Sequence, residues 1–151
     1  MEGGISSLAF SPSGDRVLFT KDIQIDKTTQ DLYPDLPESD ARVINDMMYR
    51  HWDTWEDGKR SHQFVLPVEG GTEAVDIMAG MDGDSPSVPF GGPEEYTFTP
   101  DGNAVVFTVR LAGNAEPWST DFDLYIAPAD GSQEPRLLTT ENRAWDTQPQ
   151  F

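Results

Sequence analysis

Leu8-Ala9-Phe10-Ser11-Pro12-Ser13-Gly14-Asp15-Arg16-Val17-Leu18-Phe19-Thr20 recurs, position for position, as Tyr96-Thr97-Phe98-Thr99-Pro100-Asp101-Gly102-Asn103-Ala104-Val105-Val106-Phe107-Thr108. Both copies run Phe, a hydroxyl residue, Pro, a small polar residue and Gly into an apolar stretch that ends in Phe-Thr. Proline fixes φ at the first central position of a turn, and glycine accepts the positive φ that closes it. Each copy therefore reads as strand, tight turn, strand.

A second pair of related segments lies downstream. Gln63-Phe64-Val65-Leu66-Pro67-Val68-Glu69-Gly70-Gly71 matches Leu124-Tyr125-Ile126-Ala127-Pro128-Ala129-Asp130-Gly131-Ser132, with an acidic residue and Gly at each turn. Further apolar stretches follow, Ala74 to Met78 and Arg136 to Thr139. Each unit thus reads as four short strands, and four-stranded units repeated along a chain are the sequence mark of propeller blades. The expected fold is all-β, a partial β-propeller of about two four-stranded antiparallel blades. Blade one is expected over about residues 5–80 and blade two over about 94–140, with Thr147 to Phe151 falling where a third copy begins.

The spacing is unequal. The step from Phe10 to Phe98 is 88 residues and that from Phe98 to Phe151 is 53. A blade needs about 40–50, so blade one carries an insertion of about 35 residues, placed at about Asp22 to Ser61. Within it, Tyr33-Pro34-Asp35-Leu36-Pro37 is a stiff extended loop. The segment Ser39 to Met48 reads either as a short helix capped by Ser39 or as extended chain. Strand alternation places Tyr49, His51 and Asp53 on one face and Arg50, Trp52 and Thr54 on the other. Asp57-Gly58 is a turn signal, after which the chain returns as Lys59 to Leu66.

The candidate binding residues lie in this insertion: Arg50, His51, Trp52, Asp53 and Trp55. Arg50 suits a substrate carboxylate or an ordinary ion pair with an acidic neighbour. Trp52 and Trp55 suit either stacking on a ligand or packing of the loop. His51, His62 and Asp53 have the donor types of a transition-metal site, but an exposed hairpin pair lacks second-shell support, and no metal or cofactor is expected. The carboxylates of Met81-Asp82-Gly83-Asp84-Ser85 lack the longer calcium-loop ladder, so a solvated loop is expected there. Asp121-Phe122-Asp123 reads as the start of a strand.

Composition narrows the function classes. The 151 residues carry 27 Asp and Glu against 10 Lys and Arg, a formal charge of −17, which disfavours a phosphate backbone as partner. With no Cys there are no disulfides, thiolate metal sites or cysteine nucleophiles. The apolar runs are far shorter than the roughly 20 residues that span a bilayer, so no membrane partner is expected. Gly and Pro number 13 and 12, an excess that suits many short elements joined by turns. No Gly-x-Ser-x-Gly elbow occurs, and no catalytic residue is expected in the chain.

The turns Phe10-Ser11-Pro12-Ser13-Gly14 and Phe98-Thr99-Pro100-Asp101-Gly102, with the insert Met48-Tyr49-Arg50-His51-Trp52-Asp53-Thr54-Trp55 and then Asp57-Gly58-Lys59-Arg60-Ser61-His62, carry a resemblance. They resemble the N-terminal β-propeller of the prolyl oligopeptidase family of serine peptidases, within it the bacterial dipeptidyl-peptidase and acylaminoacyl-peptidase branch. The resemblance runs from Ile5 to Phe151. It implies a fragment of a peptidase whose catalytic α/β-hydrolase domain, with its Ser-Asp-His triad, lies outside this chain. It further implies that the propeller covers the active site and admits peptides while excluding folded proteins. The acidic pair that holds a substrate amine in some of these peptidases is not carried over to Glu94-Glu95, which sit just before a strand.

Three expectations follow from reading the ends as cuts through a larger propeller. The partners are the hydrolase domain and peptide substrates, the fragment self-associates, and the bacterial periplasm is favoured over the cytoplasm. Two rival readings are a Tol-like protein-binding propeller and a carbohydrate-binding propeller using Trp52, Trp55, Trp118 and Trp145.

Overall fold

The computed structural model describes residues 4–151. Met1, Glu2 and Gly3, the start that the sequence reading treats as a cut, lie outside the described residues. The architecture is mostly sheet. Strands β1 (Ile5–Phe10), β2 (Arg16–Gln24), β5 (Lys59–Pro67) and β6 (Val75–Asp76) form one four-stranded sheet in that order. Strands β7 (Tyr96–Phe98), β8 (Ala104–Val109), β9 (Asp123–Pro128) and β10 (Arg136–Leu137) form a second. Every pairing within them is antiparallel. Between β2 and β5 lies a two-stranded hairpin, β3 (Arg50–His51) and β4 (Thr54–Trp55). Among the described residues no helix is long and apolar enough to cross a membrane.

The repeated turns are built alike. Ser11 N–H donates to the Arg16 carbonyl at 3.0 Å, and Thr99 N–H to the Ala104 carbonyl at 2.9 Å. Gly14 and Gly102 close the turns at φ 74° and 70°, where a side chain would be strained. The hydroxyl at the first position matters in both: Ser11 Oγ accepts from Arg16 N–H and Thr99 Oγ1 from Ala104 N–H, each at 3.0 Å. This is why Ser and Thr precede the proline.

The two sheets share one core. Leu18, Val65, Ile77 and Met78 from the first side meet Tyr96, Phe98, Val105, Phe107 and Val109 from the second. Two polar contacts tie the sheets besides this packing. The Arg16 guanidinium donates to the Gly102 carbonyl at 2.6 Å, and the Tyr96 hydroxyl donates to the Ser7 carbonyl at 2.7 Å. On the far side of the second sheet, Thr108 is buried and donates to the Asp146 carbonyl at 3.5 Å, while Trp145 stacks on Phe122 with ring centroids 4.6 Å apart. The segment after β10 therefore covers that face.

The structure sharpens one local reading, decides a second that was open and corrects a third. Gln24 pairs with Lys59, so the excursion from the sheet occupies residues 25–58, slightly narrower than the sequence placed it. Its helix is α1 (Thr29–Leu32), capped by Thr28 with Asp31 in a reciprocal capping box, and none forms at Ser39 to Met48. The Ser39 hydroxyl takes the Ala41 N–H two residues on, and the Ser39 and Ala41 carbonyls accept from the side chains of Gln30 and Thr29. Those contacts replace helical bonds, and branched Val43-Ile44 does not favour a helix either. Third, Met81 to Ser85 is no solvated loop. Met81 and Ser85 are buried, and Asp84 accepts the Ser61 N–H at 2.7 Å.

Candidate functional site

The hairpin breaks the expected alternation. Arg50 pairs with Trp55 and His51 with Thr54, so the chain reverses at Trp52-Asp53, with Trp52 at φ 51°. A continuous strand would have grouped His51 with Asp53; the reversal instead puts Asp53 at the exposed tip and turns His51 the other way. Asp57 and Gly58 form the next turn with φ 50° and 67°, and Lys59 then joins β2 rather than folding back on the hairpin.

The five expected site residues divide into three places. Trp55 stacks on Tyr49 at 5.9 Å, with the guanidiniums of Arg42 and Arg50 over it at 4.5 Å and 5.7 Å. These cation–π contacts occupy the ring, which lines a cleft of about 570 Å³ between the 26–49 loop and the 55–60 turn. Trp52 is 71% exposed and makes an edge contact with Phe90 at 5.7 Å. His51 points inward, with its Nδ1 3.1 Å from Glu56 Oε1. His62 is elsewhere employed: it is fully buried, and its ring nitrogens meet Asp76 at 3.0 Å and the Met81 carbonyl at 3.1 Å. The grouping of His51 with His62 and Asp53 is thus replaced by one of His51, Glu56 and Glu116, whose donor atoms all lie within 4.8 Å of one another.

That inward group is a dense charge cluster. Arg60 reaches Glu56 Oε2 at 3.4 Å and Asp82 at 2.9 Å. Arg110 holds Glu116 Oε1 at 2.8 Å, donates to the Ser119 carbonyl at 2.8 Å and lies over the Phe122 ring at 4.6 Å. Burial pushes the Glu56 carboxyl up to about 7; Arg60 opposes the shift, and Glu116 and Asp84 add to it. Burial likewise raises Asp84 to about 6 against the pull of the Ser61 N–H and Arg60. His51 is lowered, first by burial. The sequence reading missed Glu56, Arg60, Arg110 and Glu116, and it set Asp82 and Asp84 aside as part of a solvated loop. Glu56 and Arg60 adjoin the hairpin and were within reach of a charge-pair search, whereas Glu116 arrives from a 3-10 turn (Gly113–Trp118) with no local signal.

The four tryptophans do not make one platform: Trp52, Trp55 and Trp145 each contact a different aromatic partner. Glu95 is structural. It is buried and accepts from the Ser87 N–H at 2.7 Å and the Ser87 hydroxyl at 2.9 Å.

Against known proteins, the chain is 37% identical to dipeptidyl-peptidase 5 of Porphyromonas gingivalis over 99% of its own length and 22% of that protein. It is similar to a dipeptidyl peptidase along nearly its whole length. Dipeptidyl-peptidase 5 of Porphyromonas endodontalis is 31% identical over the same shares, and dipeptidyl-peptidase 4 of Giardia intestinalis 27% identical over 97% of the chain and 24% of that protein. The chain therefore spans about a fifth of the length of these dipeptidyl-peptidase relatives. No protein-family model matches it.

Proposed function

We propose that the chain is a propeller portion of a dipeptidyl peptidase of the prolyl oligopeptidase family, without catalytic residues of its own, and that it restricts access of substrates to a hydrolase domain carried elsewhere in the polypeptide. The observation that carries this reading is the stacking of two four-stranded meander sheets with the same first turn, in a segment similar to dipeptidyl-peptidase 5. Repeated sheets of this kind need neighbours to cover their faces. The outward face of the first sheet, with Leu8 and Phe10 exposed, is where a preceding sheet of the same polypeptide packs, and in its absence this face drives self-association. The substrates are short peptides. Arg50, Trp52, Asp53 and Trp55 meet them only where the insertion faces the hydrolase domain.

Chromogenic dipeptide and acylated amino-acid substrates test this. The 151-residue chain alone is expected to release no product, and the polypeptide including the hydrolase domain is expected to release the dipeptide. Turnover by the chain alone would defeat the assignment, as would inactivity of the longer polypeptide on dipeptide substrates. For gating, excision of residues 26–49 from the longer polypeptide is expected to raise cleavage of long unfolded chains relative to dipeptide substrates; an unchanged ratio removes that role from the insertion.

A further inference from the structure

The cluster at the base of the insertion has a geometry that ion pairing leaves incomplete. Glu56 Oε1 is a buried oxygen with no hydrogen-bond donor, although His51 Nδ1 lies 3.1 Å away. The ring nitrogen stands close but off the direction of an N–H bond, so no hydrogen bond joins the two atoms. Neither arginine supplies the missing donor. Arg60 engages the other oxygen of Glu56 and is shared with Asp82, while Arg110 is held by Glu116, the Ser119 carbonyl and the Phe122 ring. Four acidic side chains, Glu56, Asp82, Asp84 and Glu116, stand here around two guanidiniums, with Asp82 at the exposed edge and the other three partly or largely buried.

We propose that His51, Glu56 and Glu116 form a binding site for one divalent transition-metal ion of the zinc class, joining the insertion of the first sheet to the β8–β9 connection of the second. A nitrogen and two carboxylate oxygens suit zinc, whereas calcium and magnesium prefer all-oxygen shells. Donors of one such ion, at about 2.0–2.1 Å from it, stand roughly 3.0–3.4 Å apart. The His51–Glu56 pair already has that spacing, and the donor atoms of the trio all lie within 4.8 Å, so binding the ion requires them to draw closer. The arginines act as outer partners: each grips one carboxylate and leaves an oxygen for the ion, the arrangement that orients metal ligands elsewhere. This site stands apart from the peptidase reading, and neither depends on the other.

Calorimetric titration of the chelator-treated chain with zinc chloride tests it. One ion per chain is expected, with affinity lowered at least tenfold in His51→Gln and in Glu116→Gln and unchanged in Asp53→Asn. Zinc is further expected to raise the melting temperature of the native chain and not of the two ligand variants, whose fold is checked by far-ultraviolet circular dichroism. The proposal fails if zinc does not bind, if folded His51→Gln and Glu116→Gln chains bind it as the native chain does, or if equimolar calcium displaces it. Loss of binding in Asp53→Asn also overturns it, because that residue lies at the hairpin tip outside the trio.

Discussion

Phe10 and Phe98 occupy the same position of the same repeated turn, yet Phe10 is 67% exposed and Phe98 only 7%. The difference does not come from their own strands, which share turn geometry and register. It comes from what lies next along the stack: the second sheet presents Phe98, Val105 and Phe107 to the first, whereas among the described residues no sheet covers Leu8 and Phe10. Burial in a stacked array is therefore a property of the neighbour. A second contrast lies in the connections between the second and third strands. The β2–β5 connection is a long excursion over residues 25–58 and the β8–β9 connection a shorter loop over residues 110–122 that contains a 3-10 turn, but both deliver an acid to one cluster, Glu56 and Glu116.

The largest expected effect tests the first contrast. Phe98→Ala should destabilise the chain by about 3–5 kcal/mol, and Phe10→Ala by no more than about 0.5 kcal/mol, measured by urea unfolding of monomer. Equal losses would mean that Phe10 is covered within the monomer itself, and the comparison would collapse.

Next is the pH response of the cluster against that of a turn. Asp84 is raised to about 6 from 3.8, so between those values the unfolded chain releases a proton that the folded chain keeps. Its contribution to stability therefore declines as pH rises from about 4 to 6 and is level above. Replacement by Asn should flatten that part of the pH–stability curve; an unaltered slope in Asp84→Asn would show that the carboxylate is hydrated. Asp101 in the second turn runs the other way, its carboxyl being held below the ordinary value.

Gly14 and Gly102 sharpen the likeness of the two turns. Substitution by Ala at either should cost about 1 kcal/mol, since both stand at left-handed φ with open space or ordinary contact for the new methyl group. A loss at one site alone would show that the turns are not equivalent. The smallest effect belongs to Asp101, which the Thr99 hydroxyl and the Asn103 N–H hold down at about 2. Its stabilisation is complete above about pH 4 and is lost as pH falls through 2. Asp101→Asn should thus lower stability slightly at pH 5 and not near pH 2, a difference that thermal melts at the two pH values would register.

What the sequence disclosed follows the range of the forces involved. Phe-Ser-Pro-Ser-Gly and Phe-Thr-Pro-Asp-Gly were legible because Pro and Gly act on their own dihedral angles and Ser11 and Thr99 on a backbone five residues away. The reversal at Trp52-Asp53 was not, because Asp53, a usual turn former, stands beside a bulky aromatic with no Gly or Pro, and the left-handed φ falls on Trp52, where it carries no compositional mark. Ser39 looked like a helix cap, but Gln30 and Thr29 claimed the nearby carbonyls from another part of the loop. The cluster was hidden for the same reason on a larger scale. His51 was singled out with the wrong companions, since Glu116 reaches it only when two sheets pack, and the chain between them gives no periodic signal.

The bonds from Arg16 to the Gly102 carbonyl and from Tyr96 to the Ser7 carbonyl have one more effect. Apolar faces tolerate sliding, but directional bonds at two separate points do not. The angle between the sheets is thereby set during folding, and with it the relative position of the two connections that hold His51, Glu56 and Glu116. Any ion or partner that spans both sheets meets two backbone segments already fixed relative to each other, so only side chains remain to be ordered when it binds.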